Sequence, residues 1–356
     1  MAYRFKIGEE FGEGLRRIGA EQFERVRTGL ARTPGAGAVH DVRKSIKRLR
    51  ALLRLARLGI GEAAFKGENV RLRDVARLLS GARDHAVLQA TIERLSHQPG
   101  AVDEAAYGRL QTLLDADRST RAAISPASLA KARRTLAKAE QAWSKLRLEP
   151  DSFSPLGAGL AAVHQRGKEA LVCAYDEDGT QTARDSAFHN WRKAVQQHWR
   201  HIRLFEHCWP QYAAVRVEQA KEISDLLGRA QDLAVYVAFV ESLAISHDGE
   251  RPNGARPAGP ALTPELIQSL IEQARMQQEM LQSAARPRGE RLFAEGSSGH
   301  VRRIELYWSL AAHIEPMPDG LSVPAPAPSA RKPVEPHAVA LKARSSRKQS
   351  ARKTAG

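Results

Sequence analysis

The chain has 356 residues, which is enough for large hydrophobic cores, and its two cysteines, Cys173 and Cys208, form neither a disulfide framework nor a CxxC site. Lys and Arg number 55 against 40 Asp and Glu, so the formal net charge is +15 and the pI is near 10.1. Such a surplus predicts a phosphate-rich or otherwise anionic partner. With no apolar signal region and no apolar run of about eighteen residues, the sequence predicts a cytoplasmic protein without a membrane partner.

Apolar residues recur every three or four positions and alternating β-branched runs are scarce, so an all-α fold is predicted. Helices are expected in the first half over 8–31, 38–58, 63–97 with a break near Gly81, 101–118 and 126–147. In the second half they are expected over 155–175, 182–207, 211–246 with a break near Gly228, 263–285 and 288–314. The turn-forming segment from Pro150 to Pro155 places a domain boundary between 1–150 and 151–314.

Two segments contain too little apolar material to pack. Residues 247–262 are predicted to be a flexible surface insertion. Residues 315–356 make up a Pro- and Ala-rich tail. After position 320 it has eight basic residues and one acid, Glu335, so it contributes +7 to the net charge. This tail is predicted to be a disordered arm that adds nonspecific affinity for anions, nucleic acid among them; a contribution to solubility alone is the alternative.

The two halves share an internal repeat. The segment from His40 to Arg50 aligns with that from His189 to Trp199 at an offset of 149 positions. The segment from Leu79 to Val87 then aligns with that from Leu227 to Val235 at an offset of 148. Two matches in the same order at nearly the same offset indicate duplication of a unit of four to five helices.

The first copy of the repeat carries a strip of basic residues. On a helical wheel, apolar residues from Val42 to Ala56 cover one side and basic residues cover the other. Like charges at this spacing repel, so the composition favours ligand binding over helix stability. A solvated basic face is the alternative. The candidate ligands of phosphate oxygens are His40, Arg43, Lys44, Lys47, Arg48, Arg50 and Arg54.

The second copy has a sparser strip. Gln196 and Gln197 stand at the positions of Lys47 and Arg48, and amides donate hydrogen bonds without charge. Weaker binding by this strip is therefore expected. Its candidate ligands are His189, Arg192, Lys193, Arg200 and Arg203.

His198 and His201 fall on the core side of the second copy, beside Trp191 and Trp199. Their i,i+3 spacing could hold a metal on one helix face, but no nearby carboxylate or cysteine in the sequence completes a ligand set. They are interpreted as structural histidines, and no metal ligand is predicted. Asp84 and Asp232 follow the two expected helix breaks and are interpreted as helix caps or ion-pair partners.

These residues resemble a known family. His40-x-x-Arg43-x-x-x-Lys47-Arg48-Leu49-Arg50, then Arg83-Asp84 and, in the second half, Phe188-His189-x-Trp191-Arg192-Lys193 with His198 and His201 are similar to the CHAD (conserved histidine α-helical domain) family over about 1–314. The resemblance implies two antiparallel four-helix bundles related by a pseudo-two-fold, whose basic helices line a cleft that binds inorganic polyphosphate, often at polyphosphate granules. Gln196, Gln197 and Gln231 depart from the pattern.

Enzymatic readings find little support in the motifs. The segment from Lys6 to Glu13 lacks the Glu-x-Glu-x-Lys signature of CYTH-type triphosphate tunnels, and the residues around Gly167-Lys168 do not form a P-loop. A non-enzymatic polyphosphate binder without a cofactor is therefore predicted, with the oligomeric state left open. A nucleic-acid-binding protein that uses the same strips and tail is the main alternative, although aromatics are only 6% of the chain. A metal-dependent polyphosphate or triphosphate hydrolase is the third possible function.

Overall fold

The computed structural model describes residues 3–31, 35–79, 81–98, 104–121, 124–176, 178–247 and 262–313. These residues form helices and no strand, so the all-α prediction is confirmed. The helices are α1 (Phe11–Gly29), α2 (Ala36–Ile60), α3 (Glu62–Leu78), α4 (Gly81–Ser96), α5 (Glu104–Arg121), α6 (Pro126–Trp143), α7 (Phe153–Ala174), α8 (Gln181–Leu204), α9 (Pro210–His247), α10 (Pro264–Leu292) and α11 (Ser297–His313).

Local sequence explains where three of these helices begin. The hydroxyl oxygens of Ser125, Thr180 and Thr263 accept hydrogen bonds from backbone N–H groups in the first turns of α6, α8 and α10. Such caps satisfy donors that have no partner within the helix. Pro126 and Pro264 occupy the first helical position, where a missing N–H has no cost.

The two expected helix breaks have different outcomes. The break near Gly81 is confirmed, because α3 ends at Leu78 and α4 begins at Gly81. The break near Gly228 is wrong, because α9 runs without interruption from Pro210 to His247. A Cβ atom at position 228 would lie 2.9 Å from Nη2 of Arg192, so this glycine serves close packing against α8.

A third expected interruption, between 285 and 288, is also wrong. Helix α10 passes through Pro287 and ends at Leu292. Proline removes one backbone hydrogen bond from a helix interior. Packing after the proline outweighs this loss: Leu292 is buried, and a Cβ atom at Gly289 would lie 2.4 Å from the Trp191 ring on α8.

Three hydrophobic clusters form the core of the part of the chain that the structure describes. The largest draws on both halves of the chain, from Phe5 and Leu15 to Ile304 and Trp308. The second joins α4 and α5 to α9 and α10, and the third joins α7, α8, α9 and α10. The described helices belong to one compact unit, Met1–Ile314. The boundary between 1–150 and 151–314 and the pseudo-two-fold relation stay predictions.

Other expectations concern segments beyond these helices. The predicted insertion at 247–262 lies, apart from its two ends, outside the described residues, and so does the predicted tail at 315–356. None of the helices in the described ranges has the length and apolar content that crossing a bilayer requires.

Candidate functional site

Helices α2 and α8, which carry the two predicted basic strips, each have one buried face. In α2 this face includes Val42, Ile46, Leu49, Leu52 and Leu53, as the helical wheel predicted. In α8 it includes Trp191, Val195, His198 and Ile202. The two helices contact each other, and both contact α7. The strips therefore lie on neighbouring helices, although they come from opposite halves of the sequence.

A close approach of two backbones places α7 beside α2. A Cβ atom at Gly159 would lie only 2.0 Å from the carbonyl oxygen of Leu55, so glycine is needed at this crossing. Two turns further along α7 stands Arg166, which is exposed. Arg166 lowers the pKa of Arg54 on α2 and of Lys193 on α8, where it acts beside the larger effect of burial. One basic residue of α7 is thus close to both strips.

These three helices enclose a cavity of about 550 Å³. Six of its lining residues are cations: Lys47, Arg50, Arg54, Arg166, Lys193 and Arg200. The others are Ala170, Asn190, Ala194, Gln196 and Gln197. Among the described residues, the lining contains no acidic and no aromatic side chain. A cavity with this composition suits a ligand with several negative charges.

The cations of the cavity act on one another because they are partly withdrawn from water. Burial, followed by the charges of Arg50 and Arg166, lowers the pKa of Arg54 to about 10. Burial also lowers the pKa of Arg200 to about 10. The pKa of Lys193 is lowered by burial and then by Arg166 and Arg50. A bound anion would relieve this repulsion.

Protein contacts hold several of these side chains in place without neutralising them. Nε of Arg50 donates to Oδ1 of Asn69 at 3.0 Å. One Nη of Arg54 donates to the carbonyl oxygen of Arg50 at 3.3 Å. One Nη of Arg200 donates to the carbonyl oxygen of Gln196 at 2.5 Å. Within the described part of the chain, no carboxylate forms an ion pair with Arg50, Arg54, Arg166, Lys193 or Arg200. Their positive charge is available to a ligand.

The family model for the CHAD domain matches residues 17–241, which is more than half of the chain. The chain belongs to the CHAD family. Two solved structures share the fold: PptA from Streptomyces chartreusis (17% identity, TM-score 0.54) and the CHAD domain from the plant Ricinus communis (16% identity, TM-score 0.57). Each alignment covers 82% of this chain, and 100% and 95% of the respective neighbour. No curated protein matches the sequence.

Two predicted ligands of this CHAD protein lie outside the cavity and bind backbone carbonyls. One Nη of Arg43 donates to the carbonyl oxygens of Ala76 at 3.2 Å and Leu79 at 3.5 Å, at the end of α3. Arg192 is the equivalent residue in the repeat. Its Nε donates to the carbonyl oxygen of Ser224 on α9 at 3.3 Å. Both arginines therefore connect their helix to the next one in the chain.

Two other predicted ligands lie elsewhere on the CHAD domain. Arg48 donates to Oε1 of Gln22 at 3.4 Å, and its guanidinium lies 5.5 Å from the centre of the Tyr3 ring. Arg203 lines a second cavity, of about 610 Å³, in which four acids balance the basic residues. The acids are Glu206, Glu218, Glu222 and Asp225. This mixed lining is a poor match for a polyanion.

The remaining predicted ligands are histidines and one lysine near the starts of the two strips. His40 and Lys44 are exposed, and neither lines the cavity. His189 is half-buried, and its pKa is lowered first by burial and then by Lys193 and Arg192. Five of the twelve predicted ligands therefore meet in the cavity: Lys47, Arg50, Arg54, Lys193 and Arg200.

Sequence reasoning missed Arg166. It stands on a helix without a basic strip, so no pattern along the chain marks it. Gly159 was the only local signal, because a small residue at a helix crossing allows the approach that brings α7 to the cavity. The two histidines predicted to be structural, His198 and His201, are both buried.

Asp84 and Asp232 also differ in outcome. The side chain of Asp84 lies outside the described residues. Asp232 lies inside the continuous helix α9 and therefore caps no helix, which overturns that part of its predicted role. Burial lowers the pKa of Arg94 on α4, and the charge of Asp232 raises it. The electrostatic effect on Arg94 is the part of the predicted role of Asp232 that remains.

Proposed function

We propose that this CHAD protein binds inorganic polyphosphate in the cavity between α2, α7 and α8, without hydrolysing it. The observation that carries the proposal is the group of six cations around a single space of about 550 Å³, with no acid among the lining residues that the structure describes. Polyphosphate repeats a negative charge at every unit, so one flexible chain can contact cations of several helices at once. Membership of the CHAD family, from which this ligand was expected, supports the same reading.

Nucleic acid is the second candidate, since any phosphate polymer is attracted to a basic surface. Proteins that bind single strands combine basic grooves with aromatic side chains on which bases stack. In the described part of the chain, the cavity is lined by arginines, lysines, amides and alanines but by no aromatic residue. This difference favours a ligand made of phosphate alone. The basic tail, which is predicted to attract anions nonspecifically, supports nucleic-acid binding more than the cavity does.

A non-catalytic role is the second part of the proposal. Enzymatic phosphoryl transfer commonly uses metal ions that carboxylates hold beside the phosphate. None of the eleven described residues that line the cavity is Asp or Glu. Binding without turnover would suit a protein that anchors, stores or senses the polymer, and association with polyphosphate granules in the cytoplasm is the proposed setting.

A competition assay at one fixed salt concentration tests the ligand. Fluorescent polyphosphate bound to the full chain is displaced by unlabelled polyphosphate, single-stranded RNA or duplex DNA. Polyphosphate should compete best, also in a chain that lacks residues 321–356. Equal competition by RNA in that shortened chain would favour nucleic acid as the ligand.

A second assay tests the non-catalytic role. Incubation of polyphosphate with the protein and Mg²⁺ or Mn²⁺ should release no orthophosphate above background. Release of orthophosphate that an acidic-residue variant abolishes would overturn the non-catalytic role.

A further inference from the structure

The second cavity, of about 610 Å³, lies between the end of α8 and the first half of α9. We call it the mixed-charge cavity, because its lining includes three cations, Arg4, Arg203 and Lys221, and four acids. Two buried apolar residues, Ala213 and Val217, also line it. Among the described residues, the mixed-charge cavity and the basic cavity have no lining residue in common. A space of this size is in the range of pockets that bind small molecules.

Two of the four acids are neutralised by arginines. Glu206 is paired with Arg4, which comes from the segment before α1. Glu222 is paired with Arg288 of α10 at 3.4 Å. These two pairs account for half of the acids and for one of the three cations in the lining.

The other acids and Arg203 line the same cavity without joining one another. In the part of the chain that the structure describes, Arg203 forms no ion pair with a carboxylate, and neither Glu218 nor Asp225 forms one with a cation. Nζ of Lys221 lies 5.9 Å from the centre of the Trp199 ring. Glu218 and Asp225 are two turns apart, so they lie on one side of α9 at about 10 Å along its axis. The cavity thus presents one positive group from α8 and two negative groups from α9.

Arg203 is also close to another cation. Burial, followed by the charge of Arg25, lowers the pKa of Arg48 on α2, and the charge of Arg203 lowers it further. Arg203 therefore experiences repulsion from Arg48 that no described carboxylate offsets. A carboxylate bound in the cavity would offset it with charge-assisted hydrogen bonds.

We propose that the mixed-charge cavity binds a free basic amino acid such as lysine or arginine. The α-carboxylate binds the guanidinium of Arg203, whose paired N–H donors match the geometry of a carboxylate. The α-ammonium and the side-chain cation bind Glu218 and Asp225 on α9. The aliphatic part of the ligand covers Val217. Such a ligand joins the three charged groups that the described chain leaves apart.

The net charge of the mixed-charge cavity favours this class of ligand. Burial, followed by the charge of Arg4, lowers the pKa of His207, so this lining residue is neutral at neutral pH. Three cations and four acids then give the described lining a formal charge of −1. A basic amino acid has two positive groups and one carboxylate, so its charge of +1 complements the lining. The six cations of the basic cavity would repel the same ligand.

Isothermal titration calorimetry of the full chain with L-lysine tests the site, and about one ligand per chain is expected. Two analogues each lack one of the recognised groups. L-norleucine has no side-chain ammonium, and cadaverine has no carboxylate. Each should bind at least about fivefold more weakly than L-lysine, because each leaves one charged group of the cavity without its partner. This comparison uses the wild-type chain, so it does not depend on how well a variant folds.

Variants of the cavity assign each group. Arg203→Gln, Glu218→Gln and Asp225→Asn should each lower the affinity for L-lysine about three- to tenfold. Arg203→Gln should leave the affinity for cadaverine unchanged, since this ligand has no carboxylate. Glu241→Gln is the matched control, because Glu241 is an exposed acid of α9 that does not line the cavity.

Three results would overturn the proposal. The first is that the wild type binds no L-lysine at millimolar concentrations. The second is that either analogue binds as tightly as L-lysine. The third is that Glu241→Gln loses as much affinity as Glu218→Gln. Because the two cavities differ in all their described lining residues, each of these results leaves the proposed polyphosphate site untouched.

Discussion

Nε2 of His201 on α8 donates a hydrogen bond to the backbone carbonyl oxygen of Ala51 on α2, at 2.9 Å. A carbonyl can only accept, so this ring nitrogen carries the proton. The bond connects the two basic helices, which come from opposite halves of the chain and share the cavity. It therefore fixes the relative position of the cations on α2 and α8.

Replacement of His201 tests this connection. His201→Ala removes a buried donor and leaves a cavity, so the free energy of unfolding should fall by about 2–4 kcal/mol. His201→Gln keeps a donor and should lose less than half as much. Urea denaturation followed by circular dichroism measures both variants. If His201→Ala is as stable as the wild type, the hydrogen bond does not hold the helices together.

The Arg43 and Arg192 side chains should affect stability more than ligand binding. Each donates to a backbone carbonyl of the following helix, and neither lines the cavity. Arg43→Ala and Arg192→Ala should each lower the free energy of unfolding by about 1–3 kcal/mol, since hydrogen bonds from charged donors are in this range. Polyphosphate affinity, measured where the variants are fully folded, should change less than twofold. A larger loss of affinity with unchanged stability would assign these arginines to the binding site.

Two cations of α8 provide a comparison within one helix. Lys193 lines the basic cavity, whereas Arg203 lines the cavity that also contains four acids. Lys193→Ala should lower polyphosphate affinity about two- to fivefold, as expected for the loss of one solvent-accessible charge pair. Arg203→Ala also removes one positive charge from the chain, but it should lower polyphosphate affinity less than Lys193→Ala does. Fluorescence titration of both variants at the same salt concentration checks the order, and equal losses would indicate that only net charge matters.

Polyphosphate affinity should fall at alkaline pH. The pKa of Lys193 is lowered by burial, and that of Arg54 is lowered to about 10. A bound polyanion favours the protonated forms and raises both pKa values, so binding takes up protons once the free side chains begin to lose them. Affinity should be constant near neutrality and decrease as the pH rises through about 9 to 11.

Titrations at several pH values measure this decrease, and circular dichroism confirms that the fold persists. Lys193→Ala should show a shallower decline than the wild type, because it lacks one of the cavity cations whose pKa is lowered. If affinity falls equally steeply with pH in Lys193→Ala, a group other than Lys193 causes the decline.

The two strips could be found from sequence because the pattern of apolar residues on α2 and α8 separates one face from the other. What the pattern cannot distinguish is the direction of each basic residue within the polar face. Arg43 and Lys47 are one turn apart on the same strip, yet Arg43 binds the end of α3 and Lys47 lines the cavity. That difference depends on which helix packs beside each residue, and this is a tertiary property.

Isolated residues on other helices were beyond sequence reasoning for the same reason. Arg166 is brought to the cavity by the crossing of α7 and α2 at Gly159. His164 and His300 belong to helices that no motif connects to His198, so the sequence gave no sign that these three rings pack together. The helix interruptions expected at Gly228 and Pro287 were wrong because packing of α9 and α10 against Arg192 and Trp191 outweighs local propensity.

In the proposed function, cations of three helices form one polyphosphate site. A triple variant, Lys47→Ala with Arg166→Ala and Lys193→Ala, removes one exposed lining charge from each helix. A control variant, Lys131→Ala with Arg134→Ala and Lys138→Ala, removes three exposed charges of α6, none of which lines the cavity. Both have the same net charge, so general electrostatic attraction falls equally.

Direct titration of the wild type and both triple variants with fluorescent polyphosphate, at one fixed salt concentration, is the decisive measurement. With about 0.5–1 kcal/mol for each lost contact, the cavity variant should bind roughly 10- to 150-fold more weakly than the wild type. The α6 control should stay within about threefold of the wild type, since it loses only long-range, salt-screened attraction. Equal affinity of the two triple variants would rule out the proposed site, because polyphosphate would then respond to net charge and not to the cavity.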